Sequence, residues 1–178
     1  MRVAYADPPY PGCAYLYPEN TEVDHVALIA RLNEEFPDGW ALSTGAVRLQ
    51  YVLSLCPPDV RVGAWVKPFA PFRPNVGVAY AWEPVVWRGG RRRTRRQTTA
   101  FDWVRACGTL KYKVGLIGAK PEAFCFWVFE MLNLQPDDDL VDLFPGTGAV
   151  GRAWEKWRCR LDLMPAGEQT RQPVLVET

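Results

Sequence analysis

The sequence predicts an α/β fold: one open sheet, mostly parallel, with helices on both faces. Three observations predict it. Short apolar stretches of strand length alternate with longer stretches of helical period. Clusters of Pro, Gly and Asn punctuate them as turns. And 178 residues, 48% apolar and 23% charged, suit one ordinary folded domain with a sizeable core.

The elements follow in order. Residues 2–6, RVAYA, read as a strand, and two prolines close it because proline lacks the N–H a ladder needs. A loop rich in Pro, Gly and Tyr follows. TEVDHVALIARLNEEF has helical length; Thr21 and Asp24 resemble a capping box, and Val23, Val26, Ala27 and Ala30 fall on one face. DGWALST reads as a second strand, AVRLQYVLSL as a second helix stopped by Pro57-Pro58, and VRVGAWV as a third strand. Beyond the proline-rich KPFAPFRPN, VGVAYAWEPVVW reads as one long strand or two short ones, and Pro84 argues for an edge or a bulge. FDWVRACGTLKYKVG carries no clear period. PEAFCFWVFEMLNL is apolar nearly all round, which predicts a buried helix. DDLVDLF reads as a strand, AVGRAWEKW as a helix and RCRLDL as a final strand, with a loose tail over 165–178.

Composition excludes several classes. The five cysteines are scattered and odd in number, which predicts free thiols in a reducing cytoplasm rather than a disulfide frame or a zinc site. The single histidine, His25, argues against a histidine metal centre or a Ser-His-Asp triad. No apolar run reaches membrane-spanning length, and the N-terminus lacks a signal-like pattern, so a cytoplasmic protein without a membrane partner is expected.

Three stretches carry chemistry. Asp142-Leu143-Phe144-Pro145-Gly146-Thr147-Gly148 lies between a strand and a helix. Its glycines let a ligand approach the backbone, and the following helix start offers unpaired N–H groups. Gly146, Gly148 and Gly151 match G-x-G-x-x-G, but no ribose-binding acid stands about 20 positions on, so this is not the dinucleotide fingerprint. A plain tight turn has the same spacing. Asp7-Pro8-Pro9-Tyr10 offers a carboxylate and carbonyls without competing N–H donors, beside an aromatic face. An aromatic amine is a poor nucleophile, and a site that methylates one must hold its hydrogens with such acceptors. On spacing alone, a turn with a surface tyrosine is the favoured reading. Finally, Arg88, Arg91, Arg92, Arg93, Arg95 and Arg96 put six arginines in nine residues; without them the formal charge would drop from +1 to −5. Such concentrated charge is the footprint of phosphate contact, and Trp87 and Trp103 flank it; a solvated loop is the simpler reading.

Taken together, D-P-P-Y after an early strand and D-x-F-x-G-x-G after a late one resemble the amino-methyltransferases of nucleic acid, which methylate adenine N6 or cytosine N4. The catalytic motif preceding the cofactor loop is similar to the permuted beta class, as is Lys120-Pro121, a helix, an acidic turn and then the cofactor strand. The likeness covers roughly residues 1 to 157 through linked motifs, singly weak and jointly specific. Leu143 and Thr147 stand where that class more often has Pro and Ser.

The resemblance implies a Rossmann-like methyltransferase sheet in circularly permuted motif order with a reduced C-terminal end. The domain would span 1–164, with a basic recognition loop over 88–100. It implies S-adenosylmethionine as cofactor, no metal, and a site-specific adenine-N6 methyltransferase acting on a base flipped out of DNA. On that reading Asp7 and the carbonyl of Pro8, with Pro9, hold the amine and Tyr10 stacks on the base. Lys120, Asp142, Phe144, Pro145, Gly146, Thr147, Gly148 and Asp162 line the cofactor site, and the six arginines meet DNA. Cytosine N4, RNA as substrate, a homodimer that completes the DNA surface, and an inactive nucleic-acid-binding protein of the same fold stay open.

Overall fold

The computed structural model describes residues 1–16, 20–68, 77–95, 97–107 and 119–162. Arg96, most of the KPFAPFRPN loop and the 165–178 tail lie outside them. Six strands form one sheet: β1 (Arg2–Ala6), β2 (Gly39–Ser43), β3 (Arg61–Val66), β4 (Trp82–Gly89), β5 (Trp103–Arg105) and β6 (Asp139–Asp142). Their order is β5-β3-β4-β2-β1-β6. β1 runs parallel to β2 and β6, and β3 runs parallel to β5. β4 alone is reversed, pairing antiparallel with β2 and β3. The sheet is therefore mostly parallel, as the alternating pattern predicts.

Helices cover both faces because the strands alternate. Val3 and Tyr5 of β1 point into one core, with α3 (Glu122–Met131) and α4 (Ala149–Asp162). Ala4 and Ala6 point into the other, with α1 (His25–Glu35) and Val52 of α2 (Leu49–Leu55). The first core is built on aromatic rings: Trp65, Phe124, Trp127, Phe129, Trp154 and Trp157. α3 is buried nearly all round, as its composition predicts.

Four expectations need correction. α1 starts four residues late: Asp24 is its cap and accepts from the amides of Val26 and Ala27. Its buried face is His25, Leu28, Ile29 and Leu32, while Val26 is exposed. Both sets have helical spacing, and the larger side chains won the core.

Pro84 lies on neither an edge nor a bulge but on β4, between β2 and β3. The Ala64 amide opposite it donates to Asp102 on the β5 side, so the polar edge of Pro84 faces β2. β2 pairs only as far as Ser43 with Val85, and the Pro84 carbonyl takes the Thr44 amide at 3.1 Å. The missing N–H thus falls where the neighbouring strand has ended.

RCRLDL is not a strand: α4 runs on through Asp162. Val150, Ala153, Trp154 and Trp157 repeat with helical period and bury, carrying the helix forward. The segment without a clear period contains the short edge strand β5.

Candidate active site

In a sheet with one reversed strand, the carboxyl ends of the other five lie along one edge. Ligands of open α/β sheets bind outside that edge. Asp7 follows β1 there, Lys67 follows β3 and Leu143 follows β6. Because β4 is reversed, its entry residue Glu83 reaches the same edge.

Asp7 bonds Lys120, with Nζ 2.8 Å from Oδ1. Burial pushes the Asp7 carboxyl above its usual range, and the Lys120 ammonium pulls it back. Lys120 is itself buried and lies over the rings of Trp65 (5.4 Å) and Phe124 (5.8 Å). Such a cage holds the ammonium where the carboxylate needs it. The resemblance implies a cofactor-side role for Lys120; in the structure its ammonium bonds Asp7.

Among the described residues, Gly45 and Glu83 hold Tyr10. Its ring packs on Gly45, where an added Cβ would stand 3.1 Å from Cδ2. Its hydroxyl donates to Glu83 Oε2 at 3.0 Å. Glu83 also takes the Lys67 ammonium on Oε1, and Lys120 Nζ stands 4.0 Å from its Oε2. Lys67 lies over Trp65 as well. Pro8 is buried and Pro9 half-buried.

Sequence reasoning missed Glu83 and Lys67. The signal was present: each is a lone charge ending or entering an apolar strand, VGAWVK and WEPVVW, and the two strands are neighbours. A buried charge without a partner is costly, so two such charges of opposite sign predict a pair.

The glycine loop lies one strand over. β6 pairs with β1, setting Asp142 opposite Tyr5, and the Leu143 amide donates to the Tyr5 carbonyl at 2.9 Å. Asp142 Oδ1 takes the Phe144 amide at 3.2 Å, closing the first turn. Burial pushes the Asp142 carboxyl up, the Phe144 amide lowers it, and the nearby Asp7 raises it again. Gly146 and Gly148 have φ of +42° and +71°, which glycine adopts at little cost. The Arg152 guanidinium donates to the Thr147 carbonyl at 2.8 Å, and α4 starts at Ala149. Pro145 and Gly146 are exposed. Asp162 lies at the far end of α4, a helix of 14 residues, rather than on a strand beside this loop.

The arginine segment leaves from the other edge. Gly89 at the exit of β4 pairs with Gly39 at the entry of β2, and the Gly90 amide donates to Asp38. Three of its arginines bond within the fold. Arg88 Nε lies 2.9 Å from both Asp59 carboxylate oxygens. Arg91 Nη2 meets the buried Asp138 at 2.7 Å. Arg93 donates to the carbonyls of Glu130 and Thr98. Arg92 and Arg95 are exposed. Trp87 lies half-buried under the Arg61 guanidinium, and Trp103 is exposed on β5.

The five cysteines are unpaired. Burial pushes Cys125 up to about 12 and Cys56 up to about 11, so neither is a ready nucleophile. Among the described residues no group of three or more His, Cys, Asp or Glu could hold a metal ion. Among them, too, no helix is long and apolar enough to cross a membrane.

No protein-family model matches the chain, and no curated protein matches it in sequence. Solved structures do. The crystal structure of the M1.HpyAVI-SAM complex matches with a TM-score of 0.58 at 16% identity, over 88% of this chain and 78% of that one. The crystal structure of M1.HpyAVI matches with a TM-score of 0.58 at 15% identity, over 89% and 76%. At that identity the likeness is one of fold: this chain shares the α/β architecture of M1.HpyAVI.

Proposed function

We propose that this chain transfers a methyl group from S-adenosylmethionine to the exocyclic amine of a base in DNA, with adenine N6 as the target. One observation carries the reading. A half-buried carboxylate with a buried cation, Asp7 on Lys120, stands beside an anchored aromatic ring, Tyr10, one strand from a glycine loop. The neighbour of like fold that was solved with SAM supports the choice of cofactor.

The glycine loop fits such a group. Its positive-φ glycines bare the backbone, and Pro145 and Gly146 are open to solvent. Asp142 to Gly148 would hold the cofactor there, and Asp162 would do so only from the far end of α4. When bound, S-adenosylmethionine supplies an activated methyl group on a sulfonium, which needs no metal.

The chain's own residues do the rest. Asp7, kept ionised by Lys120, accepts one N–H of the amine, and the Pro8 carbonyl accepts the other. Held this way, the nitrogen leaves the plane of the ring and presents its lone pair. Tyr10 stacks on the base, which must leave the duplex to reach this edge. The amine would gain the methyl group as its bond to the sulfonium sulfur breaks and leaves a neutral thioether, and the surplus amine proton would pass to solvent. Catalysis is positioning: the reacting atoms are held in line.

Among the described arginines the proposed DNA contact narrows to Arg92 and Arg95, because Arg88, Arg91 and Arg93 have partners in the fold; Arg96, outside the described residues, stays part of the proposal. The test is methylation of DNA by the purified chain, with nucleosides weighed after digestion, beside Asp7→Ala. Methyladenine from the wild type, none from the variant and S-adenosylmethionine binding by both is the expected result. Methylcytosine would move the target to N4, and RNA methylated in place of DNA would move the substrate. Full activity of Asp7→Ala would sink the mechanism. Absence of cofactor binding by the wild type would favour an inactive nucleic-acid-binding protein.

A further inference from the structure

We infer that Glu83 is a positioning residue that fixes the Tyr10 ring for the target base; this rests on the proposed function. Glu83 sits near the entry of β4, next to Trp82 and opposite Trp65, with its side chain 21% exposed. A carboxylate there costs stability unless every oxygen is used. Both are used. Oε1 takes the Lys67 ammonium and Oε2 takes the Tyr10 hydroxyl at 3.0 Å. Lys120, the partner of Asp7, stands 4.0 Å from Oε2. One carboxylate therefore touches the residue that stacks on the base and neighbours the residue that tunes the acceptor.

The geometry explains why a hydroxyl on the stacking ring matters. Gly45 backs one side of the ring, and Glu83 ties its tip. Two fixed points remove the ring's freedom to swing about the Cα–Cβ bond. A base that stacks on such a ring meets it already in place, so binding does not have to order it. Tyr10 and Glu83 are 73 residues apart in sequence, and the reversal of β4 alone brings them together. Glu83 touches neither base nor cofactor on this reading. It acts through Tyr10.

The test compares the wild type with Tyr10→Phe, Glu83→Ala, Glu83→Gln and the double variant Glu83→Ala/Tyr10→Phe. Methyl transfer to an oligonucleotide gives kcat and KM, and calorimetry gives S-adenosylmethionine affinity. Tyr10→Phe and Glu83→Ala are each expected to lower kcat/KM about 10- to 100-fold, the scale of a misplaced reacting group, at unchanged cofactor affinity. The double variant should be no worse than Glu83→Ala, because the hydroxyl then has nothing to lose. Glu83→Gln keeps an acceptor and should recover most of the rate, which a merely structural role would not require. Wild-type rates for Tyr10→Phe, additive losses in the double variant, or Glu83→Gln as poor as Glu83→Ala would each overturn the inference. Tyr10→Phe keeps the ring and folds by its packing, so the test survives poor folding of the Glu83 variants. A wild type that transfers no methyl group would overturn the proposed function itself, and this inference with it.

Discussion

Lys120→Met separates the two roles open to Lys120. Methionine nearly conserves the stem that packs between Trp65 and Phe124 but removes the ammonium 2.8 Å from Asp7. A hydrogen bond to a charged group is worth about 1.5–3 kcal/mol. At 1.36 kcal/mol per tenfold, the expected loss in kcat/KM at neutral pH is about 10- to 150-fold. The loss should depend on pH. Burial raises the Asp7 carboxyl and Lys120 lowers it; Glu83 raises it and Lys67 lowers it. Without Lys120 the carboxyl rises further, a proton stays on it, and the acceptor becomes a donor. The acidic limb of kcat/KM therefore moves to higher pH, and activity returns as the pH is raised. Methyl transfer to DNA measured across pH, with cofactor calorimetry beside it, reads both effects. An unmoved acidic limb together with weakened S-adenosylmethionine binding would refute the reasoning, and would return Lys120 to the cofactor as the family resemblance implies.

Arg91→Ala strips one partner from the buried Asp138 and should cost about 1–3 kcal/mol of stability, read as a lowered Tm. An unchanged melt would show that the pair contributes nothing. Arg92→Ala with Arg95→Ala should leave the melt alone and reduce the slope of log affinity for DNA against log salt by about two. An unchanged slope would place the contact elsewhere. Burial pushes the Asp138 carboxyl up, but the Met1 ammonium, the Gln135 amide and Arg91 hold it below its usual range. Its contribution is therefore complete above the ordinary carboxylate range and lost as pH falls through that range and below. Asp138→Asn should flatten the acid limb of Tm against pH, and equal limbs in variant and wild type would contradict this assignment.

Much of the fold was legible because it rests on local physics. The β1, β2, β3 and β6 segments are short apolar runs between turn residues, and α3 is apolar all round over helical length. Misreadings arose where two periods or two registers fit one segment. In α1 both the 23/26/27/30 and the 25/28/29/32 sets have helical spacing, and packing chose between them. In RCRLDL the alternation of a strand and the continuing period of α4 coincide, and Trp154 and Trp157 extended the helix.

The sequence by itself determined which residues could do the chemistry: an acid and a ring framed by prolines, and a glycine loop after a late strand. Each lies within a few consecutive residues, where local conformation follows from side-chain type. Only the tertiary structure decided who their partners are. The reversal of β4 set Glu83 on Tyr10 and carried the arginine segment to the opposite edge of the sheet. The packing of α3 set Lys120 on Asp7. Those pairings join residues 73 and 113 positions apart, and strand direction in the first and helix packing in the second, neither encoded in a local run of residues, bring them together.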